Sequence, residues 1–346
     1  MAGMLGTAAR IWASVCAALA IAALAASGAA ARDHSRIYSA QEIAADAERL
    51  KTAARKIFSL GLEPHLTADE RARLPELRLA FPKPEAGDHL LDFYAYTYEG
   101  RQVVAMPLLS LKALEDLTTA YAWILSTGRH PGVIDLYYAM LTGAPAGGRA
   151  HPAILPALGV PADAWKRPPV DKLSLSLRNE AYAFILGHEL AHLVYAHRGY
   201  DEITTAQARA DEVEADRFAL DLLARAKTPA LGAALFFQAQ AYSLPNRGQF
   251  ESEQAWLEFQ RSRSTHPLGT DRIRAFAAYM EEKLVQARPA ERELWGVIGG
   301  GLKTVADTLD DPELAQCVVR AGRMARPEDL KPRRGPALEL FARACG

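Results

Sequence analysis

Hydrophobic positions along the chain recur mainly at helical spacing. Between Ser39 and about Leu60 the apolar residues fall three or four positions apart, and Ser39 is a predicted N-cap. Helical patterns also cover most of the second half of the chain, including the tail beyond residue 287. The same spacing predicts helices at 110–125, 178–198, 205–227, 230–242, 254–261 and 271–287.

One stretch has the pattern of a β-hairpin instead. Residues 90–98 are rich in Leu, Phe and Tyr, Glu99 and Gly100 form a turn signal, and residues 102–108 are apolar again. The sequence therefore predicts an α+β fold that is mostly helical, with one small β-sheet and a helical C-terminal region.

The first thirty residues have a different pattern. After Arg10, residues 11–26 contain almost no polar side chain, and small residues follow up to Ala31. This is typical of a secretory signal peptide cleaved after Ala31, with Ala30 as the alternative. The predicted location is periplasmic or secreted. An uncleaved anchor in the inner membrane, formed by residues 11–31, is the alternative.

Composition narrows the classes of function. Half of the 346 residues are hydrophobic, and 40 basic residues nearly balance 41 acidic ones, which disfavours both disorder and nucleic acid as a partner. Cys16 lies inside the predicted signal peptide. Cys317 and Cys345 remain, and the sequence leaves open whether they pair.

Glycine and proline mark one internal boundary. They make up ten of the 28 residues at 142–169, which predicts a linker or a flap. Four regions follow from these patterns. They are a signal peptide at 1–31, an N-terminal helical region at 32–89, a central domain at 90–286 and a helical C-terminal region at 287–346.

The helix predicted around residue 188 carries a metal-binding pattern. His188 and His192 are four residues apart and so lie on one helix face, where both can bind one zinc ion, and Glu189 can hold a water molecule. Both histidines fall on an apolar stripe, which predicts that they point into the protein. We therefore expect one zinc ion per chain.

The next predicted helix offers a third ligand. Glu212 and Asp216 lie one turn apart, so Glu212 can complete the zinc site while Asp216 accepts a hydrogen bond from a ligand histidine. Asp211 and Glu214 fall off this face, which predicts a solvated acidic surface. His197 follows the first helix, where a cation suits the helix dipole, so we expect it to cap that helix.

These residues resemble the gluzincin zinc metallopeptidases, closest to the HtpX, Oma and CAAX-prenyl-protease group, metallopeptidase family forty-eight. The resemblance rests on three motifs in the family's order, which are His188-Glu189-Leu190-Ala191-His192, Glu212-x-x-Ala215-Asp216-Arg217 and Ser264-Thr265-His266-Pro267 with Arg272-Ile273 after it. It implies a zincin-like domain and zinc-dependent endopeptidase activity, with misfolded envelope proteins as substrates in periplasmic quality control. A soluble, exported member is the better comparison, with peripheral membrane association as an option.

Two points stay open at this stage. His266 precedes a proline and so is expected on a loop, where it either serves the site as a regulatory or oxyanion-binding residue or simply begins a helix. The alternatives to a peptidase are a zinc-binding, chaperone-like protein without catalysis and a small-molecule amidase with the same zinc unit. Both alternatives retain the same three zinc ligands.

Overall fold

The computed structural model describes residues 34–142, 151–283, 289–330 and residue 345. Helices account for most of these residues and accompany one three-stranded sheet, so the predicted mostly helical α+β class is confirmed. The helices are α1 (Ala40–Lys56), α2 (Ala68–Ala72), α3 (Leu108–Ser126), α4 (Gly132–Thr142), α5 (Ile154–Ala157), α6 (Pro168–Val194), α7 (Thr205–Arg225), α8 (Ala233–Ser243), α9 (Glu253–Ser262), α10 (Gly269–Lys283), α11 (Pro289–Asp310) and α12 (Pro312–Met324).

The first helix begins as its sequence predicts and ends later. The Ser39 side chain accepts from the Glu42 backbone N–H, and the Glu42 carboxylate accepts from the Ser39 N–H, which forms a capping box. The helix does not end at about Leu60, because a π-helical turn over Ile57–Leu62 continues α1 and buries Leu62.

The small sheet has the order β1-β3-β2, with β1 at Arg78–Ala80, β2 at Tyr94–Tyr98 and β3 at Arg101–Ala105. Strands β2 and β3 form the predicted antiparallel hairpin, in which Tyr94 pairs with Ala105. Glu99 and Gly100 both have positive φ, the backbone that a two-residue hairpin turn needs. Both hairpin strands pack against α6.

Helix α6 lies at the centre of the molecule. Its apolar side chains are almost fully buried from Ala181 to Ala191, and it packs against α3, α7 and α8. The helix starts at Pro168, ten residues before the predicted start, because Pro suits the first turn and the preceding 3₁₀ turn packs on α6. This long helix carries the first half of the candidate site.

Parts of the predicted organisation fall outside the described residues. These parts are the signal peptide at 1–31, residues 143–150 of the Gly/Pro-rich segment and most of the final sixteen residues. The rest of the Gly/Pro-rich segment includes α5 and a 3₁₀ turn at Ala164–Lys166, which pack on α3 and α6. Among the described residues, no helix is long and apolar enough to cross a membrane.

The C-terminal cysteines are paired. Cys317 on α12 forms a disulfide with Cys345, with their Cα atoms 5.1 Å apart. This answers the question that the sequence left open. The bridge joins Cys345 to α12.

Gly232 marks the closest approach of two helices, and its replacement by Ala is expected to destabilise the fold by about 3 kcal/mol or more. A Cβ there would lie 1.9 Å from the Leu177 carbonyl oxygen of α6, which cannot move without breaking that helix. Urea unfolding of Gly232→Ala measures the loss. The matched control is Gly296→Ala on an exposed face of α11, where nothing lies within 4 Å and a gain of up to about 1 kcal/mol is expected. Equal effects in the two variants would contradict this account.

Candidate metal centre

Helix α6 brings two imidazoles to one point. His188 and His192 are one turn apart on the helix, and their Nε2 atoms lie 3.2 Å from each other. His188 is buried, and the His192 side chain is only 18% exposed. The structure thus brings together the two histidines that the sequence pattern selected.

Helix α7 supplies the third group. Its N-cap is Thr204, whose side chain accepts from the Gln207 backbone N–H, and two turns later the helix presents Glu212. The Glu212 carboxylate oxygens lie 3.5 Å from the Nε2 of His188 and 3.7 Å from the Nε2 of His192. Glu212 is almost fully buried, so its charge faces the two imidazoles rather than solvent.

The two ligand helices are held together by a close backbone contact. Gly187, the residue before His188, lies against α7 at Ala219, and a Cβ on Gly187 would meet the Ala219 Cα at 3.1 Å. Helices α6 and α7 also form one of the largest helix contacts among the described residues. This packing sets the distance between the histidines and Glu212.

The three side chains fit a metal ion. One nitrogen from each histidine and one Glu212 oxygen all lie within 4.8 Å of one another. Two ligands bound at the usual zinc distances in a tetrahedron lie about 3.3 Å apart, close to the separations of 3.2, 3.5 and 3.7 Å found here. Two histidines and one glutamate are also a donor set of catalytic zinc sites. The residues present therefore fit the expected ion.

Asp216 and Arg272 support the first histidine. The Asp216 carboxylate lies 3.0 Å from the Nδ1 of His188 and accepts two hydrogen bonds from Arg272, at 2.7 and 2.9 Å. Burial alone would raise the pKa of Asp216, but Arg272 and His188 lower it below its ordinary value. Asp216 lies where the sequence placed it, beside a ligand histidine. Arg272 neutralises the buried carboxylate.

The pKa values of the two histidines shift in opposite directions. Burial disfavours the charged ring of His188, but Asp216 and Glu212 outweigh that cost and raise its pKa. Burial and the neighbouring His188 lower the pKa of His192 instead. Only one of two imidazoles this close can carry a proton on the facing nitrogen, and the carboxylates favour His188.

Glu189 lies beside the cluster in a buried position and is 6% exposed. Burial raises its pKa to about 7, while the charge of His188 acts in the opposite direction. A carboxyl group with such a pKa can accept a proton and return it near neutral pH. Its environment suits the role predicted from its place between the two histidines.

A loop tyrosine and a loop histidine lie next to Glu212. The Tyr200 hydroxyl donates to the Glu212 Oε1 at 2.5 Å and lies 3.2 Å from the Nε2 of His266. The His266 Nε2 lies 3.7 Å from the Glu212 Oε1 and the residue also lies just before α10, so both roles that the sequence left open for it stay predictions. Arg209 fixes this loop by donating to the Ser264 carbonyl. The sequence analysis missed Tyr200, because a loop residue has no periodic pattern that marks it.

The His197 side chain contacts other side chains rather than the helix carbonyls, whereas its backbone N–H donates to the His192 carbonyl. Its Nδ1 lies 2.9 Å from the Nδ1 of His192, and its Nε2 lies 3.0 Å from Glu214 and 3.9 Å from Asp211. The predicted solvated acidic face is also wrong for Asp211, which is buried. The spacing His192-x₄-His197 at a helix end was the signal that could have found this contact.

Part of the chain matches a known protein family. A family model described as Peptidase U49 matches residues 163–286 of the chain. No curated protein and no solved structure matches it significantly. The resemblance to the HtpX, Oma and CAAX-prenyl-protease group therefore stays a prediction. The chain is similar to a family of peptidases over the whole stretch that holds the metal centre, from His188 to Arg272, and this similarity indicates a peptidase.

Proposed function

We propose that the protein is a zinc-dependent endopeptidase. The observation that carries this proposal is the convergence of His188, His192 and Glu212 on one point beside the buried Glu189. These residues lie inside the segment that matches a peptidase family. A catalytic zinc site needs three protein ligands and one open position, and among the described residues three ligand side chains converge here.

In the proposed reaction, Glu189 transfers the protons beside a metal ion that polarises the substrate. Zinc, when bound, supplies a Lewis acid that polarises the scissile carbonyl and acidifies water. Glu189 takes a proton from the attacking water as the C–O bond forms, and returns it to the leaving amine as the C–N bond breaks. Burial raises the pKa of Glu189 above its ordinary value, which favours its holding the proton between the two transfers.

His266 is proposed to act at the open position of the site. Its Nε2 lies 3.2 Å from the Tyr200 hydroxyl and 3.7 Å from Glu212, within a side chain's length of the ligands. From this position an imidazole can donate to the oxyanion that develops on a substrate carbonyl. A position this close to Glu212 equally suits a latent state in which His266 blocks the open position.

The edge of the sheet is the proposed place for the substrate chain. Strand β2 is an edge strand that packs against α6, and Tyr94, Tyr96 and Tyr98 are exposed along it. An extended peptide can add to such an edge through main-chain hydrogen bonds. The exposed tyrosine rings would then contact alternate side chains of the substrate.

We propose an exported location and a role in quality control of misfolded envelope proteins. The pattern of residues 11–31 supports export, and so does the Cys317–Cys345 disulfide, since such bridges persist in oxidising compartments. The substrate would be a protein or peptide. Peripheral contact with the membrane is compatible with this location.

Metal analysis tests the proposed site directly. Elemental mass spectrometry of the purified wild-type protein is expected to find one zinc ion per chain. The double variant His188→Ala/His192→Ala is expected to hold no zinc, because two of the three ligands are gone. The matched control is His65→Ala/His130→Ala, which removes two histidines outside the cluster and should keep the zinc. Equal zinc in the wild type and the His188/His192 variant would contradict the assignment.

Activity assays distinguish the proposed endopeptidase from a chaperone-like protein and from an amidase. Cleavage of casein or of an unfolded envelope protein supports the endopeptidase, whereas zinc binding without cleavage supports a chaperone-like protein. Hydrolysis of small amides but not of proteins supports an amidase. Each assay is run beside Glu189→Gln, so that activity of a contaminating protease is recognised.

A further inference from the structure

Helix α6 ends in a backbone motif just beyond its second ligand. Ala196 has a left-handed conformation with φ of 53°, and its N–H donates to the Leu193 carbonyl at 3.2 Å. The next N–H, of His197, donates to the His192 carbonyl at 2.9 Å. This pair of bonds defines a Schellman motif, which brings the side chain after the left-handed residue onto the last helical turn.

The side-chain contact in this motif is normally hydrophobic, but here it joins two imidazoles. The Nδ1 atoms of His192 and His197 lie 2.9 Å apart, and the two rings meet at 74°. The Tyr195 ring stacks on His197 with centroids 5.7 Å apart, and the His197 side chain is only 8% exposed. Both rings are therefore held in place.

The orientation of the His192 Nε2 towards the cluster determines which of the two Nδ1 atoms, that of His192 or that of His197, is the donor. His192 turns its Nε2 to the cluster, so a neutral His192 that offers this lone pair carries its proton on Nδ1. That Nδ1–H can only donate to an unprotonated Nδ1 of His197. His197 then carries its proton on Nε2, where it faces the Glu214 carboxylate at 3.0 Å and Asp211 at 3.9 Å.

We infer that His197 is a positioning residue of the metal centre, which fixes the tautomer and ring orientation of His192 as Asp216 does for His188. The inference rests on the proposed metal site. The two supports differ in kind, because Asp216 is a carboxylate neutralised by Arg272, whereas His197 is an imidazole backed by Glu214. Hydrogen-bond partners of this kind change metal affinity about 10- to 100-fold when they are removed.

His197 is not a ligand in this arrangement. Its Nδ1 meets the edge of His192 that faces away from the cluster, and its Nε2 faces α7 at Glu214. Among the described residues, the only group of ligand atoms close enough for one ion is that of His188, His192 and Glu212. If replacing His197 weakens zinc binding, the substitution therefore acts through His192.

The experiment measures the zinc dissociation constant by chelator competition, together with the melting temperature of the metal-free protein. His197→Leu introduces a side chain of similar size that has no hydrogen-bond acceptor. This variant is expected to weaken zinc binding about 10- to 100-fold. His197→Asn places an amide oxygen near the position of Nδ1 and is expected to restore most of the affinity. His65→Leu is the control and should bind zinc like the wild type.

A purely structural role gives a different result. The Leu and Asn variants would then lower the melting temperature of the metal-free protein without changing the zinc constant, and this would overturn the inference. An Asn variant as weak as the Leu variant would overturn it too. Where His197→Leu does not fold, His197→Gln replaces it, since its amide oxygen lies one carbon too far. A wild type that binds no zinc overturns the proposed function instead.

Discussion

Replacing Glu189 with Gln is expected to lower peptide hydrolysis by about 10²- to 10⁴-fold, because the amide has the shape of the carboxyl group but cannot accept the water's proton. Zinc content should stay at one ion per chain, since Glu189 is not one of the three converging ligands. Initial rates on an unfolded protein substrate, measured beside elemental analysis of the same samples, provide the two readouts. Near-wild-type turnover in this variant would show that another group is the base.

Helix α6 offers a matched control for this substitution. Glu180 is also buried, burial also raises its pKa to about 7, and it lies on the same helix more than two turns before the cluster. Its carboxylate accepts from the Gly232 N–H at 2.9 Å, which a Gln oxygen can also do. Glu180→Gln is therefore expected to keep full activity, which separates a catalytic effect from the loss of a buried acid.

The second large effect is expected from Arg272→Met, which should lower the free energy of unfolding by about 3–5 kcal/mol. Arg272 is 4% exposed and forms a bidentate ion pair with Asp216, so its loss leaves a buried carboxylate without its counter-charge. Urea unfolding of the metal-free protein measures this effect. Adding Asp216→Asn in the same chain should recover part of the loss, because the uncompensated charge is then removed.

Arg274→Met is the control for that prediction. Arg274 lies on the same helix, is 43% exposed and pairs with Asp307 and Asp310 at the surface. Exposed pairs contribute less than about 1 kcal/mol, so only a small change is expected. Equal losses from the two arginine variants would contradict the assignment of a special role to the buried pair.

The residues of the candidate metal centre were predictable because helical spacing determines which side chains share a face. Four-residue spacing placed His188 with His192 and Glu212 with Asp216, and the structure places all four around one point. Their roles as ligands and support stay predictions for the metal measurements. Local periodicity was sufficient here because each pair lies within one regular helix.

Residues brought in by loops could not be found in this way. Tyr200 reaches Glu212 only because the loop between α6 and α7 folds back over the cluster, and no spacing rule describes that path. His197 was interpreted by its charge at a helix end, whereas its contact with His192 depends on the left-handed Ala196. A non-glycine residue at that position gave no sequence signal for the turn.

Two of the elements that the sequence did not predict were missed for physical reasons. Strand β1 has only three residues and pairs in parallel with β3, a contact that requires a distant part of the chain. Helix α4 is apolar on almost every side and so lacks the alternation of polar and apolar faces that predicts a surface helix. The secondary structure of β1 and of α4 therefore depends on tertiary contacts rather than on a local sequence pattern.

The contact between Gly187 and Ala219 bears on the order of folding and metal loading. In a zinc finger the metal ion supplies the folding free energy, so the chain has no structure before the ion arrives. Here, backbone packing one residue from His188 and the surrounding apolar core hold α6 and α7 together, and neither contact involves a ligand atom. For the proposed zinc enzyme, this means that the chain can fold first and bind the ion afterwards. Bound metal then adds stability only by mass action, in proportion to the logarithm of its free concentration.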